Sequence, residues 1–170
     1  PVEMVAAANG DATPLMFRNT SAELYGADVD FVIRPSARLE LAGTASFVRG
    51  TRRDIDDDLY RIPPANLRLS ATWTSGRLAL GTELFAAADQ PKVSRTNDEQ
   101  RGEGFAIVGL FGRYGLNDSL ALEAGIENLL DELYAPHLAG RSRVGASDVA
   151  LLERLPGPGR GVWTRLTTRF

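Results

Sequence analysis

The sequence predicts an all-β chain, an antiparallel up-and-down meander of about seven long strands. Period-two alternation of apolar and polar residues runs from Ala22 onward. Turn residues recur near positions 35, 76 and 116, and long polar segments fall between them. A propeller blade would need four strands in such a period. Here each period holds two strands and one long loop, so short turns gather at one end and long loops at the other.

Residues 1–14 show no sustained period and read as a loop. The first strand is expected near 20–34, with Asp28, Asp30 and Val32 alternating with Ala27, Val29, Phe31 and Ile33. Pro35-Ser36 is read as a tight turn. The second strand, near 37–49, sets Leu39, Leu41, Gly43, Ala45 and Phe47 against Arg38, Glu40, Ala42, Thr44 and Ser46. Residues 50–63 are charged and run into Pro63-Pro64 as a loop. Strands near 65–74 and 77–88 flank the turn Ser75-Gly76, and 89–103 is a polar loop. The strand near 104–114 is apolar on both sides, with Ala106, Val108 and Leu110 read as its inner face against Phe105, Ile107 and Phe111. A turn at Gly115–Asp118 leads to a strand near 119–127. Segment 128–161 carries Pro136, Pro156 and Pro158 and is a long loop, and 162–170 closes the chain as a strand.

Composition narrows the chemistry. The 170 residues bear a net charge of −3, so no broad basic field addresses nucleic acid. There is no cysteine, and His137 is the sole histidine, which excludes thiolate zinc sites, cysteine nucleophiles and two-imidazole sites. Of the 19 basic residues only Lys92 is lysine. No apolar run approaches the roughly 18 residues a membrane helix needs. A membrane-crossing β-strand needs only about ten alternating residues, and runs of that length are present. Tyr25, Phe47, Trp73, Phe85, Phe105, Tyr114, Tyr134 and Trp163 lie near strand ends and are expected to form interfacial girdles.

The C-terminal half carries residues with a family likeness. Glu127, Asn128, Leu129, Leu130, Asp131 and Tyr134 resemble the "ENLLD..Y" signature of TonB-dependent outer-membrane receptors. Ala22–Gly26 resembles the family's "A.l.GvE" strand, Ile62-Pro63-Pro64 its "iPp" strand start, and Pro156, Gly157, Gly159 and Arg160 its "PGR" before the last strand. The resemblance spans roughly residues 20–170. It implies a segment of a barrel of about 22 strands in the outer membrane of a Gram-negative bacterium. Residues 1–14 would end an extracellular loop and 15–170 would form the C-terminal part of the barrel, with short periplasmic turns.

On this reading the chain is a fragment: plug domain and TonB box are expected elsewhere, and its partners are the remaining barrel and plug, lipid and lipopolysaccharide, and the TonB complex. Phe170 and Leu166 would belong to the signal read by the barrel-assembly machinery. The implied function is uptake of a ferric siderophore or other metal complex, with loops 50–63, 89–103 and 128–161 capturing ligand and Tyr134, His137 and Arg141 as candidate contacts.

Other chemistry is sparse. Asp54, Asp56, Asp57 and Asp58 are oxygen ligands close in sequence, but they lack a calcium loop's glycine and distal glutamate and read as a solvated loop. Glu83, Glu123 and Glu127, with Arg38, Arg68 and Arg113, read as a lumen-facing salt-bridge network. No Ser-His-Asp order, phosphate loop or HExxH is present, so no enzyme, cofactor or resident metal is expected. The rival architectures are a soluble β-sandwich of carbohydrate-binding type and a small closed eight-stranded barrel.

Overall fold

A computed structural model describes residues 2–5, 16–146 and 148–169. Its strands are β1 (Val2–Val5), β2 (Met16–Asn19), β3 (Ala22–Ser36), β4 (Leu39–Arg52), β5 (Asn66–Ser75), β6 (Leu78–Ala87), β7 (Phe105–Gly115), β8 (Leu120–Glu127) and β9 (Gly161–Thr168). Strands β3 to β9 form one sheet in sequence order, every neighbouring pair antiparallel. The expected meander of seven strands is present, with boundaries a few residues from those read in the sequence. Among the described residues no second sheet covers its faces and β3 does not pair with β9. The sandwich and the small closed barrel are therefore set aside.

Two local expectations change. Val2–Val5 is not loop but pairs antiparallel with Met16–Asn19. Four residues are too few for a period to show in sequence. Pro35 does not end β3: the strand runs to Ser36, and the turn falls at Ala37 and Arg38. The ladder shifts register between Ile33 and Ser36, which spares Pro35 the donor it lacks. The other short connections follow local chemistry. Ser75 pairs with Leu78 around a two-residue turn whose first position, Gly76, has φ 58°, a left-handed conformation suited to glycine. After β7, the Asn117 side chain accepts the Ser119 N–H at 2.9 Å and closes the turn to β8.

Register assigns the faces. Asp30, Thr44, Arg68, Phe85 and Ile107 are successive partners across β3 to β7 and share one face. Phe31, Gly43, Leu69, Leu84 and Val108 form the adjacent row and share the other. A second apolar row runs Leu41, Ala71, Thr82, Leu110, Ile126 and Val162. Its one polar member is satisfied: the Thr82 hydroxyl donates to the Gly109 carbonyl at 3.0 Å. The final strand places Val162 and Leu166 opposite Ile126 and Leu122 on this same face, and Phe170 lies outside the described residues.

Face assignment corrects the reading of β7. Ala106, Val108 and Leu110 belong to the apolar face, and Phe105, Ile107 and Phe111 to the polar one. Both sets are apolar in sequence, so only pairing with Glu83 and Leu84 on β6 separates them. The girdle is corrected in the same way. Tyr25 and Phe47 pack on the apolar face near the long-loop end, with ring centroids 6.2 Å apart, and Trp73 and Tyr114 lie on that face near the turns. Phe85, Phe105 and Trp163 stand on the polar face instead.

Among the described residues the only buried hydrophobic side chains are Leu59 and Ala121. The sheet thus encloses no apolar core, and Leu80, Leu110, Leu122 and Leu166 remain exposed along the apolar face. The faces can be tested by paired substitutions. If the apolar face meets a bilayer, as the resemblance implies, Leu84→Arg should cost about 2–4 kcal/mol on insertion, whereas Ser70→Arg on the opposite face should cost little. Reversible folding of the full-length protein into lipid vesicles, followed by its heat-modifiable gel mobility, measures both. Equal effects would contradict the assignment.

Candidate functional site

The long connections all leave the same end of the sheet, and polar side chains bind them to one another. In the β4–β5 loop, Asp57 is buried and its carboxylate accepts four hydrogen bonds. Oδ1 takes the N–H groups of Asp58 and Arg95 at 3.0 and 2.8 Å. Oδ2 takes the Thr96 N–H at 2.9 Å and the Ser94 hydroxyl at 3.2 Å. Burial pushes the Asp57 pKa up, but the hydrogen bonds from Thr96, Arg95 and Ser94 outweigh it and hold it at about 2. The aspartate run is therefore not simply a solvated loop. Asp54 pairs with the buried Arg52 at 2.5 Å, Asp56 with Arg95 at 3.2 Å, and Asp57 pins the β4–β5 loop to the β6–β7 loop.

Gln90 makes a second pin. It is 2 % exposed; its amide donates to the Ile62 carbonyl at 2.8 Å, and its side-chain oxygen accepts from Arg49 at 3.3 Å. Its backbone exchanges hydrogen bonds with Gly102, closing the neck of the β6–β7 loop. Glu99 makes a third, with Oε1 accepting the Arg61 N–H and Oε2 the Ser94 N–H, both at 2.9 Å. Sequence reading missed Gln90, Ser94 and Glu99. They lie in a stretch without periodicity, where a buried polar residue looks like a solvated one.

The β8–β9 loop starts and ends in a clamp. Asn128 and Asp131 have positive φ of 47° and 56°, a conformation asparagine and aspartate tolerate better than most residues. The buried Asn128 amide donates to the carbonyls of Glu132 and Pro158 at 2.9 and 3.1 Å and accepts the Glu132 N–H at 2.9 Å. Asp131 Oδ1 accepts the Arg160 N–H at 2.8 Å, and the Gly157 N–H donates to the Tyr134 carbonyl at 2.7 Å. A Cβ on Gly157 would enter the Tyr134 ring, and one on Gly159 would come within 3.2 Å of the Asp131 carboxylate. The two motifs read separately in sequence, around Glu127–Tyr134 and Pro156–Arg160, thus hold each other.

The three candidate ligand contacts lie in this loop in different settings. Tyr134 is half-buried and stacks on Phe105 with centroids 4.5 Å apart. Arg141 is half-buried and donates to the Asp98 carbonyl at 3.3 Å. His137 is buried, its Nε2 lying 3.2 Å from Glu99 Oε1.

Below the loops the polar face forms an open cavity of about 730 Å³. Its lining includes Asp30, Arg68, Glu83, Phe85, Glu127 and Tyr134. Arg68 lies over the Phe85 ring at 4.3 Å. Nearer the turns, Glu123 sits between Arg113 at 3.2 Å and Arg165 at 3.6 Å, part of the expected charge network. Glu83 and Glu127 are exposed and make no ion pair among the described residues, and Arg38 lies in a turn rather than on the strand face. Charged groups alternating with aromatic rings suit non-covalent contact with a polar ligand or a packed domain.

Known proteins share this architecture. The family described as TonB dependent receptor-like, beta-barrel matches residues 4–129. No curated protein sequence matches. Among solved structures, the copper transporter OprC is similar with a TM-score of 0.89 at 24% identity, over 99% of this chain and 27% of that one. A mutant of the ferric enterobactin receptor PfeA from Pseudomonas aeruginosa superposes with a TM-score of 0.70 at 24% identity, over 100% and 26%. The ferripyoverdine receptor from Pseudomonas aeruginosa gives 0.67 at 13% identity, over 99% and 23%. The chain spans about a quarter of the length of these receptors.

Two outcomes follow from the pins. The Asp57 pKa is lowered from 3.8 to about 2, so its contribution, about 2 kcal/mol, is complete above pH 4–5 and is lost as pH falls toward 2. Hydrogen exchange of the Arg95 and Thr96 amides should accelerate over that window, beyond the intrinsic trend, and Asp57→Asn should remove the pH dependence. Asn128→Ala leaves the Glu132 N–H and two carbonyls without this partner, and should lower stability by about 1–3 kcal/mol in thermal unfolding of the full-length protein.

Proposed function

Since the chain belongs to the TonB-dependent receptor-like β-barrel family, we propose that it forms part of the wall of an outer-membrane receptor that takes up a scarce metal complex, a ferric siderophore foremost. One observation carries the reading: a seven-strand meander presents a continuous apolar face on one side and a charged, aromatic-bearing face on the other. An apolar face without a covering layer suits lipid, and the polar face suits a wet lumen. Tyr25 and Phe47 at one end of the apolar face, and Trp73 and Tyr114 at the other, suit the two bilayer interfaces.

In this reading the long loops 50–63, 89–103 and 128–161 face the exterior and help capture ligand. Arg141 and Tyr134 are its candidate contacts, while the buried His137 acts by positioning the loop. The cavity of the polar face receives the plug domain. The remaining barrel completes the wall at β3 and β9, because each leaves a strand edge that must be paired inside a membrane. Lipid and lipopolysaccharide cover the apolar face, and the TonB complex supplies the energy. The assembly machinery reads the closing strand, with Leu166 and Phe170 as its signal. The chain supplies binding and enclosure rather than catalysis.

Solved neighbours divide between a copper transporter and receptors for ferric enterobactin and ferripyoverdine, which is why the ligand class is put as a metal complex. Uptake of radiolabelled ferric siderophores and of a copper complex by cells producing the full receptor tests it, with and without a functional TonB. Energy-dependent accumulation of one such complex, lost without TonB, is expected. A receptor that accumulates none of them, or that fractionates away from the outer membrane, would overturn the reading.

A further inference from the structure

At the meeting point of the three long loops lies one buried imidazole set against a carboxylate. His137 has a side chain 2 % exposed, and its Nδ1 has no hydrogen-bond partner. Its Nε2 lies 3.2 Å from Glu99 Oε1, an oxygen that also accepts the Arg61 N–H at 2.9 Å. The Nδ1 edge is covered by the neck of the β6–β7 loop: a Cβ on Gly102 would stand 2.7 Å from it. The same junction ties the loops by longer reaches. Arg61 donates to the Leu138 carbonyl at 3.0 Å, and Arg154 to the carbonyls of Arg101 and Gln100 at 3.2 and 3.0 Å.

We propose that the His137–Glu99 contact is an acid-sensitive clasp, in which proton uptake at His137 loosens the last long loop from the two before it. The charged groups facing the ring come from all three loops: Arg61 from β4–β5, Glu99 from β6–β7, and Arg154 from β8–β9, which in turn lies beside Arg141. A protonated ring would carry a second N–H toward the covered Gly102 edge, where no acceptor stands, and would add a cation beside Arg154 and Arg61. Glu99 offsets part of that cost. Burial, the largest effect, holds the His137 pKa below its ordinary value, with Glu99 opposing and Arg154 and Arg61 reinforcing. A histidine whose folded pKa is lowered contributes its full stability above the unfolded value of 6.5 and loses it as pH falls below that. The clasp is thus closed at neutral pH and weakens in acid.

The inference concerns the loop junction alone and needs no ligand, so its test separates it from the receptor reading. Spin labels at Lys92→Cys and Leu151→Cys, both exposed, report the separation of the β6–β7 and β8–β9 loops in the full receptor held in outer-membrane vesicles. A narrow distance distribution at pH 7.5 should broaden and lengthen by pH 5. His137→Asn, neutral throughout, should keep the narrow distribution at both values. Arg154→Gln retains a donor but removes a positive charge beside the ring, and should move the transition to higher pH. The proposal is overturned if the wild-type distribution does not change, if it narrows in acid, or if the transition survives in His137→Asn. Should that variant fail to fold, an unshifted transition in Arg154→Gln overturns the proposal by itself.

Discussion

The main-chain hydrogen-bond ladder is the interaction on which everything else in this chain rests. Seven strands pair in sequence order, and each pairing satisfies backbone groups that would otherwise lack a protein partner. Side-chain burial inside the chain cannot take its place, since only Leu59 and Ala121 among the described apolar residues are buried. The ladder also fixes side-chain direction. One residue of slip would carry Arg68 to the face of Leu69 and Leu84 and break both surfaces at once.

Order in the loops rests on different physics. Among the described residues the largest fully buried side chains are Gln90 and Ser94, and Asp57, Asn128 and His137 are buried beside or near the same junctions. Long connections with little apolar content are tied down through charge-assisted and amide hydrogen bonds to main-chain groups, each worth more when water is excluded. Such ties are directional, so the loops hold a definite arrangement over the polar face. They also depend on protonation, because a carboxylate that accepts four hydrogen bonds and an imidazole buried against a carboxylate respond to acid in their own ways.

The strands were legible because alternation is local. Leu39 to Phe47 and Leu67 to Trp73 disclose strand, length and face without any partner. The exits at Asn128 and Asp131 were legible too, since these residue types adopt positive φ and bond their own backbone. Legibility failed where a choice depended on a neighbour. The two apolar sets of β7 differ only in which lies beside Glu83, and Pro35 could stay in its strand only because the ladder shifts there. Among the candidate contacts, Tyr134, His137 and Arg141 were visible as residue types but not as one stacked ring, one buried imidazole and one loop tie.

By itself the sequence determined an antiparallel meander, its short and long connections, the division into two faces and the family likeness, all properties of residues near one another in the chain. Tertiary structure decided which aromatics flank the apolar face, how Glu127–Tyr134 closes on Pro156–Arg160, and that Asp57, Gln90, Glu99 and His137 are pins instead of solvated polar groups. Those outcomes arise from contacts between residues some thirty or more positions apart, such as Asp57 with Thr96 or Glu99 with His137. No local pattern records a hydrogen bond whose partner comes from another loop.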